Sequence, residues 1–118
     1  MSIVRHDPGS ILSQAVEHGD TVYLAGIVAK DLNKDAKGQT KEIVDEMDRL
    51  LAKCGSHKSK LLSATIWVTD IRNRAPMNEV WTAWVDAKNL PARACVDPSA
   101  TSSRTSSAAG STAPRGRT

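Results

Sequence analysis

The segment Asn89-Leu90-Pro91-Ala92-Arg93-Ala94-Cys95-Val96 carries a charged residue inside an apolar alternation. A guanidinium placed in such a run must reach solvent or meet an anion, because a buried unpaired charge is costly. A surface arginine on an edge strand and an anion-binding arginine both fit the local pattern. Cys95 follows Arg93 by two residues, so the two share a strand face and Cys95 could line the same site. No histidine is near it in sequence, which argues against a nucleophilic thiol.

Other chemistries find less support. His6, His18 and His57 are scattered with no second ligand at metal spacing, so no metal is expected. Gly19 and Gly26 read as turn glycines, not as parts of a phosphate loop. No serine is flanked like a nucleophile elbow. The two cysteines lack paired spacing, so free thiols and a cytoplasmic setting are expected. Cys54 falls on an apolar helix face and reads as core. Trp81 and Trp84 also read as core rather than as a ligand platform.

The charge is unevenly placed along the chain. The sequence pI is about 9.1, yet residues 1–96 hold 13 Lys and Arg against 12 Asp and Glu. The excess lies in the tail, with Arg104, Arg115 and Arg117 against Asp97. No basic stripe interleaved with aromatics is present in the body, so a nucleic-acid partner is not expected. No apolar run is long enough to cross a membrane, and residues 1–7 lack the apolar region of a signal peptide.

The elements that must position Arg93 follow from periodicity. Two short alternating runs, Gln14–Glu17 and Thr21–Ala25, flank His18-Gly19-Asp20 and predict a β-hairpin. Residues 27–38 read as a loop. Ile43, Val44, Met47, Leu50, Leu51 and Cys54 recur at helical spacing, predicting a helix over 40–54 ended by Gly55. Leu62, Ala64, Ile66 and Val68 alternate with polar residues and Trp67, the cleanest strand pattern in the chain. Asp70 ends that strand, and Pro76 suits the first turn of a second helix. Met77, Val80, Trp81, Trp84 and Val85 line one face of this helix, and Asn89-Leu90-Pro91 closes it. Ala92–Val96 is the last strand. The order is β-β-α-β-α-β, with room for an extra strand at residues 2–5. This is an α+β architecture, with two helices on one face of a mainly antiparallel sheet. The other sheet face needs cover, most simply from further copies of the chain.

Residues 98–118 contain no Val, Leu, Ile, Met, Cys or aromatic residue. Such a segment buries too little apolar surface to offset its ordering entropy, so a disordered tail is expected after a domain spanning 1–97.

Several motifs occur together and in order: Ser13-Gln14-Ala15-Val16, Tyr23-Leu24-Ala25-Gly26, Gly38-Gln39-Thr40, Asp70, Asn78-Glu79-Val80-Trp81 and Pro91-Ala92-Arg93-Ala94-Cys95-Val96. Over residues 3–96 the chain thereby resembles the Rid family, also called YjgF/YER057c/UK114 and long described as L-PSP endoribonucleases. The resemblance implies a chorismate-mutase-like fold and a homotrimer with ligand pockets between subunits. It also implies hydrolysis of reactive enamines and imines, such as 2-aminoacrylate, to 2-keto acids and ammonia without a cofactor. Arg93 would clamp the substrate carboxylate, with a geometry that suits a planar guanidinium better than lysine. Gly26, with Ala25 before it, and the Cys95 backbone would line the pocket, the Cys95 carbonyl helping to orient water. Asn78 matches the helix asparagine near the pocket.

The chain also departs from that pattern. Leu12 and Ala25 stand where active members often carry Tyr and Ser. Members continue past the arginine strand into another apolar strand, often with a water-holding glutamate. Here no acidic residue follows Asp97, and the composition changes as it would after a shift of reading frame or in a natural tail. Two function classes follow: an enamine/imine deaminase, and a non-catalytic carboxylate-binding module. An RNA-binding or RNA-cleaving protein is a third, supported only by the charge of the tail.

Overall fold

A computed structural model describes residues 2–96 and 111–114, the last four by backbone only. The sheet is built from β1 (Ile3–Pro8), β2 (Ser13–His18), β3 (Thr21–Leu24), β4 (Ser63–Trp67), β5 (Ala92–Val96) and β6 (Ser111–Pro114). Its order is β1-β2-β3-β6-β4-β5. Helices α1 (Ala36–Lys53) and α2 (Arg74–Trp84) cover one face. The α+β class, the two helices and the mainly antiparallel sheet agree with the sequence pattern.

The hairpin β2–β3 turns at Gly19-Asp20, with His18 opposite Thr21. Gly19 has φ 63°, a left-handed backbone that a residue without Cβ adopts at no steric cost. β1 is the extra strand anticipated near the N-terminus, and it is longer, pairing antiparallel with β2 from Ile3 opposite His18 to Pro8 opposite Ser13.

Helix α1 begins earlier than the expected residue 40. Asp35 caps it, accepting a hydrogen bond from the Gly38 amide at 2.8 Å. Its first turn, Ala36-Lys37-Gly38-Gln39, has no large apolar residue, so hydrophobic periodicity could not reveal it. The helix ends where Gly55 requires. Gly55 takes φ 75°, its amide donates to the Ala52 carbonyl, and the Ser56 amide donates to Leu51. This is a Schellman closure.

Helix α2 starts at Arg74, two residues before Pro76, after a single 3-10 turn over Ile71–Asn73. Proline is tolerated there because the first amides of a helix have no intrahelical partner. The expected closure at Asn89-Leu90-Pro91 is corrected to Trp84. The chain turns extended at Val85, and Asp86 then accepts from the Lys88 amide and the Asn89 side chain, forming a separate turn. β4 and β5 run parallel, Ala64 opposite Arg93 and Ile66 opposite Cys95, with α2 as the crossover.

The tail differs from expectation at one place. Ser111–Pro114 is a strand in the middle of the sheet, antiparallel to β3 with Thr112 opposite Tyr23, and antiparallel to β4 with Thr112 opposite Ser63. Hydropathy could not find it, because backbone pairing needs no apolar side chain. The rest of the tail expected to be disordered, 98–110 and 115–118, lies outside the described residues.

The core lies between the sheet and the helices. Val22, Val44, Leu50 and Leu51 are its largest fully buried side chains, joined by Met47, Met77, Trp81 and Trp84. Cys54 is buried with them, as its helix position indicated.

Candidate ligand site around Arg93

Alternation along β5 sets the direction of Arg93. Ala92 and Ala94 are exposed, whereas Arg93 and Cys95 are half-buried and turn toward the helix layer. Helix α2 presents Asn78 and Trp81, three residues apart and therefore on one face. Arg93 Nη1 donates to Asn78 Oδ1 at 2.7 Å. The guanidinium carbon lies 5.5 Å from the centre of the Trp81 ring, a cation–π geometry. Among the described residues no carboxylate forms an ion pair with Arg93. The arginine is thus oriented by a neutral acceptor and an aromatic face, and its remaining N–H groups are available to an anion.

Trp81 serves twice. It is 7% exposed and belongs to the core, as expected. It is also the surface on which Arg93 rests, which the sequence reading had not assigned to it. Trp84 packs against it at 5.5 Å between ring centres. Trp84 Nε1 donates to Asp48 Oδ2 at 2.8 Å, tying α2 to α1. Lys58 Nζ lies 5.4 Å over the Trp84 ring.

Gly26 lies elsewhere, on the rim of a cleft of about 830 Å³ between α1 and β4. Ile43, Met47, Ile66 and Met77 give its walls apolar character, and Trp81 also reaches it. Arg93 and Cys95 are not among its lining residues, so within one chain Trp81 stands between the Gly26 cleft and the arginine. Ala25 is not a lining residue either, and its amide donates to the Gln14 carbonyl at 2.9 Å. Cys95 packs on the core opposite Ile66. Of the five residues singled out, the fold joins Arg93 with Asn78, sets Cys95 on the same strand face, and leaves Gly26 and Ala25 apart.

The mouth of the cleft is held by residues that hydropathy could not flag. Glu42 Oε1 accepts from the Lys30 and Asp31 amides at 2.8 and 3.3 Å. Lys34 Nζ lies 2.7 Å from Glu42 Oε2, and the Lys34 ammonium, followed by the Lys30 amide, holds the Glu42 carboxyl below its ordinary range. The Gly38-Gln39-Thr40 motif acts here too, with Gln39 Nε2 donating to the Lys34 carbonyl at 2.8 Å and Thr40 Oγ1 to Ala36 at 2.7 Å. Asp70 caps the turn before α2 through the Arg72 amide. The Arg72 guanidinium lowers the Asp70 carboxyl to about 2.

Histidine placement departs from the sequence reading. His6 is not isolated: its Nε2 meets the Glu17 carboxylate, and the Cys54 sulfur is close by.

No helix among the described residues is long and apolar enough to cross a membrane. Comparison with known proteins gives a consistent picture. Residues 4–105 match the family described as Endoribonuclease L-PSP. A RutC family protein of Haemophilus influenzae is 40% identical over 98 residues, covering 82% of this chain and 84% of that protein. The RutC family protein YoaB of Escherichia coli K12 is 42% identical over 96 residues, covering 81% and 83%. The crystal structure of a YjgF family member from Neisseria meningitidis superposes with a TM-score of 0.86 at 33% identity, covering 100% of this chain and 98% of that one. The chain belongs to the Endoribonuclease L-PSP family, that is, to the YjgF/RutC/Rid proteins whose motifs its sequence resembles.

Proposed function

We propose that this protein binds small carboxylates at Arg93 and hydrolyses reactive enamines and imines of the 2-aminoacrylate type to 2-keto acids and ammonia. The observation that carries the reading is the half-buried Arg93 guanidinium, aimed by Asn78 and seated on Trp81. A planar fork held in one orientation suits a carboxylate, which it takes through two parallel N–H groups. The imine carbon next to that carboxylate is already electrophilic. Water oxygen bonds to it while the C=N π pair moves to nitrogen. Nitrogen takes up both protons of the water, the carbinolamine C–N bond breaks, and ammonia departs as the oxygen forms the ketone. An enamine first becomes the imine by gaining a proton at carbon and losing one from nitrogen. Positioning supplies most of what such a step needs, and no cofactor enters it. The Cys95 carbonyl would orient the water, and Gly26 would line the pocket.

In this reading the site is completed between subunits of a homotrimer in the cytoplasm. Two features support the assembly. Gly26 lines the cleft between α1 and β4 and Arg93 does not, so within one chain the two do not share a pocket, and a neighbouring chain could face one with the other. The sheet face away from the helices also carries Ile3, Tyr23 and Trp67, each between 44% and 49% exposed. An apolar face of that kind marks an interaction surface. Light scattering should give about three times the 12.7 kDa chain mass.

The second reading is a carboxylate-binding module without hydrolysis. It is favoured by the lack of any Asp or Glu after Asp97 to hold the water. Ammonia release from freshly generated 2-aminoacrylate separates the two. Binding of a 2-keto acid with no acceleration of ammonia release would select the module. Loss of neither activity in Arg93→Lys would remove both.

A further inference from the structure

The site at the opposite end of α1 has a different chemistry. His6 on β1, Glu17 on β2 and Cys54 at the C-cap of α1 each aim one ligand atom at a common point, all within 4.8 Å of one another. His6 and Glu17 are hydrogen-bonded. Their side chains are 16% and 7% exposed, and Cys54 is 2% exposed. A carboxylate, an imidazole and a thiol therefore converge in a nearly dry place, on the core side of the sheet.

Local structure holds each of them. The β1–β2 register sets His6 opposite Ala15 and Val4 opposite Glu17, so the two ligands are diagonal neighbours on one face. The Cys54 amide donates to the Leu50 and Leu51 carbonyls, and Gly55 fixes the turn that follows. Asp7, adjacent to His6, has φ 49° and pairs with Lys53 and Arg49, which clamps the end of β1 onto the last turns of α1. These contacts order the three side chains without using them.

We propose that His6 Nε2, a Glu17 carboxylate oxygen and Cys54 Sγ form a binding site for a divalent cation of the zinc type. Imidazole nitrogen, carboxylate oxygen and thiolate are the donor set Zn²⁺ takes, and three protein ligands plus water complete a tetrahedron. Entry of the ion replaces the His6–Glu17 hydrogen bond, and the proton held in it moves to His6 Nδ1 or leaves to solvent, so that Nε2 and the carboxylate both face the ion. The Cys54 thiol gives up its proton to solvent as the sulfur–metal bond forms, and no electron changes hands. The negative carbonyl end of α1 adds to the attraction for a cation. Cys95, the other cysteine, lies on β5 at the other edge of the sheet and takes no part.

The test is a titration of the chelator-treated full chain with Co²⁺, followed by displacement with Zn²⁺. One Co²⁺ per chain should bind and show a thiolate-to-cobalt charge-transfer band, which Zn²⁺ abolishes. The band should persist in Cys95→Ser and vanish in Cys54→Ser, and His6→Gln should weaken affinity roughly tenfold or more. Zn²⁺ should also raise the melting temperature of the unsubstituted chain, a readout that stands if Cys54→Ser fails to fold. Absence of the band in the unsubstituted chain, its loss only in Cys95→Ser, or an unchanged melting temperature with Zn²⁺ would each overturn the site.

Discussion

The Asn78 side-chain oxygen holds Arg93 Nη1 at 2.7 Å, across 15 residues of sequence and from helix to strand. One N–H of five is committed to orientation, and the fork that a carboxylate needs remains. Arg93→Lys should therefore weaken 2-keto-acid binding at least tenfold, since a point charge cannot replace two parallel donors. Asn78→Ala removes a hydrogen bond to a charged group, worth roughly 1.5 kcal/mol or more where desolvated. Calorimetric titration of both variants should show Asn78→Ala weakening binding less than Arg93→Lys. Equal affinity for Arg93→Lys and the unsubstituted protein would sink the clamp.

The core makes a simpler claim. Leu50 is fully buried among the residues joining α1 to the sheet. Leu50→Ala should destabilise the fold by about 2–5 kcal/mol, through lost transfer energy and the cavity left behind. Denaturant unfolding checks this, and a loss below about 1 kcal/mol would place Leu50 outside the cooperative core.

Acid stability has a worked sign. Arg72 lowers the Asp70 carboxyl from 3.8 to about 2, and Lys53, then Arg49, lower that of Asp7 from 3.8. A carboxyl depressed in the folded state stabilises it above the unfolded value and loses that contribution as pH falls through the folded one. Stability should therefore decline from about pH 3.8 toward pH 2, and the decline should be shallower in Asp7→Asn and Asp70→Asn. Both groups are partly exposed, so added salt should shrink the difference. Melting temperatures across that pH range, with and without salt, provide the measurement.

Thr112 is the one position of β6 paired on both sides, with Tyr23 and with Ser63. Thr112→Pro removes its N–H from the ladder, whichever neighbour receives it. A cost of about 1–3 kcal/mol is expected, read as a lower denaturation midpoint. No change in that midpoint would show that the two halves of the sheet hold without this strand.

What could be read in the sequence was carried by side chains that repeat or stand out. The apolar periodicity of Ile43 to Leu51 located α1, and Pro91 with the alternation after it located β5. Arg93 was conspicuous because it breaks an apolar pattern, and it meets the helix asparagine that the motif indicated. Three features were hidden for physical reasons. The first turn of α1 is capped by Asp35 through a backbone amide, which leaves no hydrophobic trace. β6 is held by main-chain pairing, to which composition is blind. His6, Glu17 and Cys54 converge only through strand register and helix length, so their separation in sequence disguised them. Glu17 shows the limit most clearly, since a carboxylate facing the core contradicts the usual rule and is tolerated with an imidazole beside it.

The position of β6 also implies an order of folding. β1, β2 and β3 pair through short hairpins, and β4 pairs with β5 across one helical crossover, at a shorter sequence separation than either pairing of β6. β6 reaches β3 and β4 from far along the chain, and such pairings lose the most loop entropy before any contact repays it. Two preformed lobes should therefore collapse first, with strand insertion as the closing event. Substitutions in β6 should then speed unfolding while leaving the initial collapse almost unchanged, a kinetic signature that separates the seam from the core.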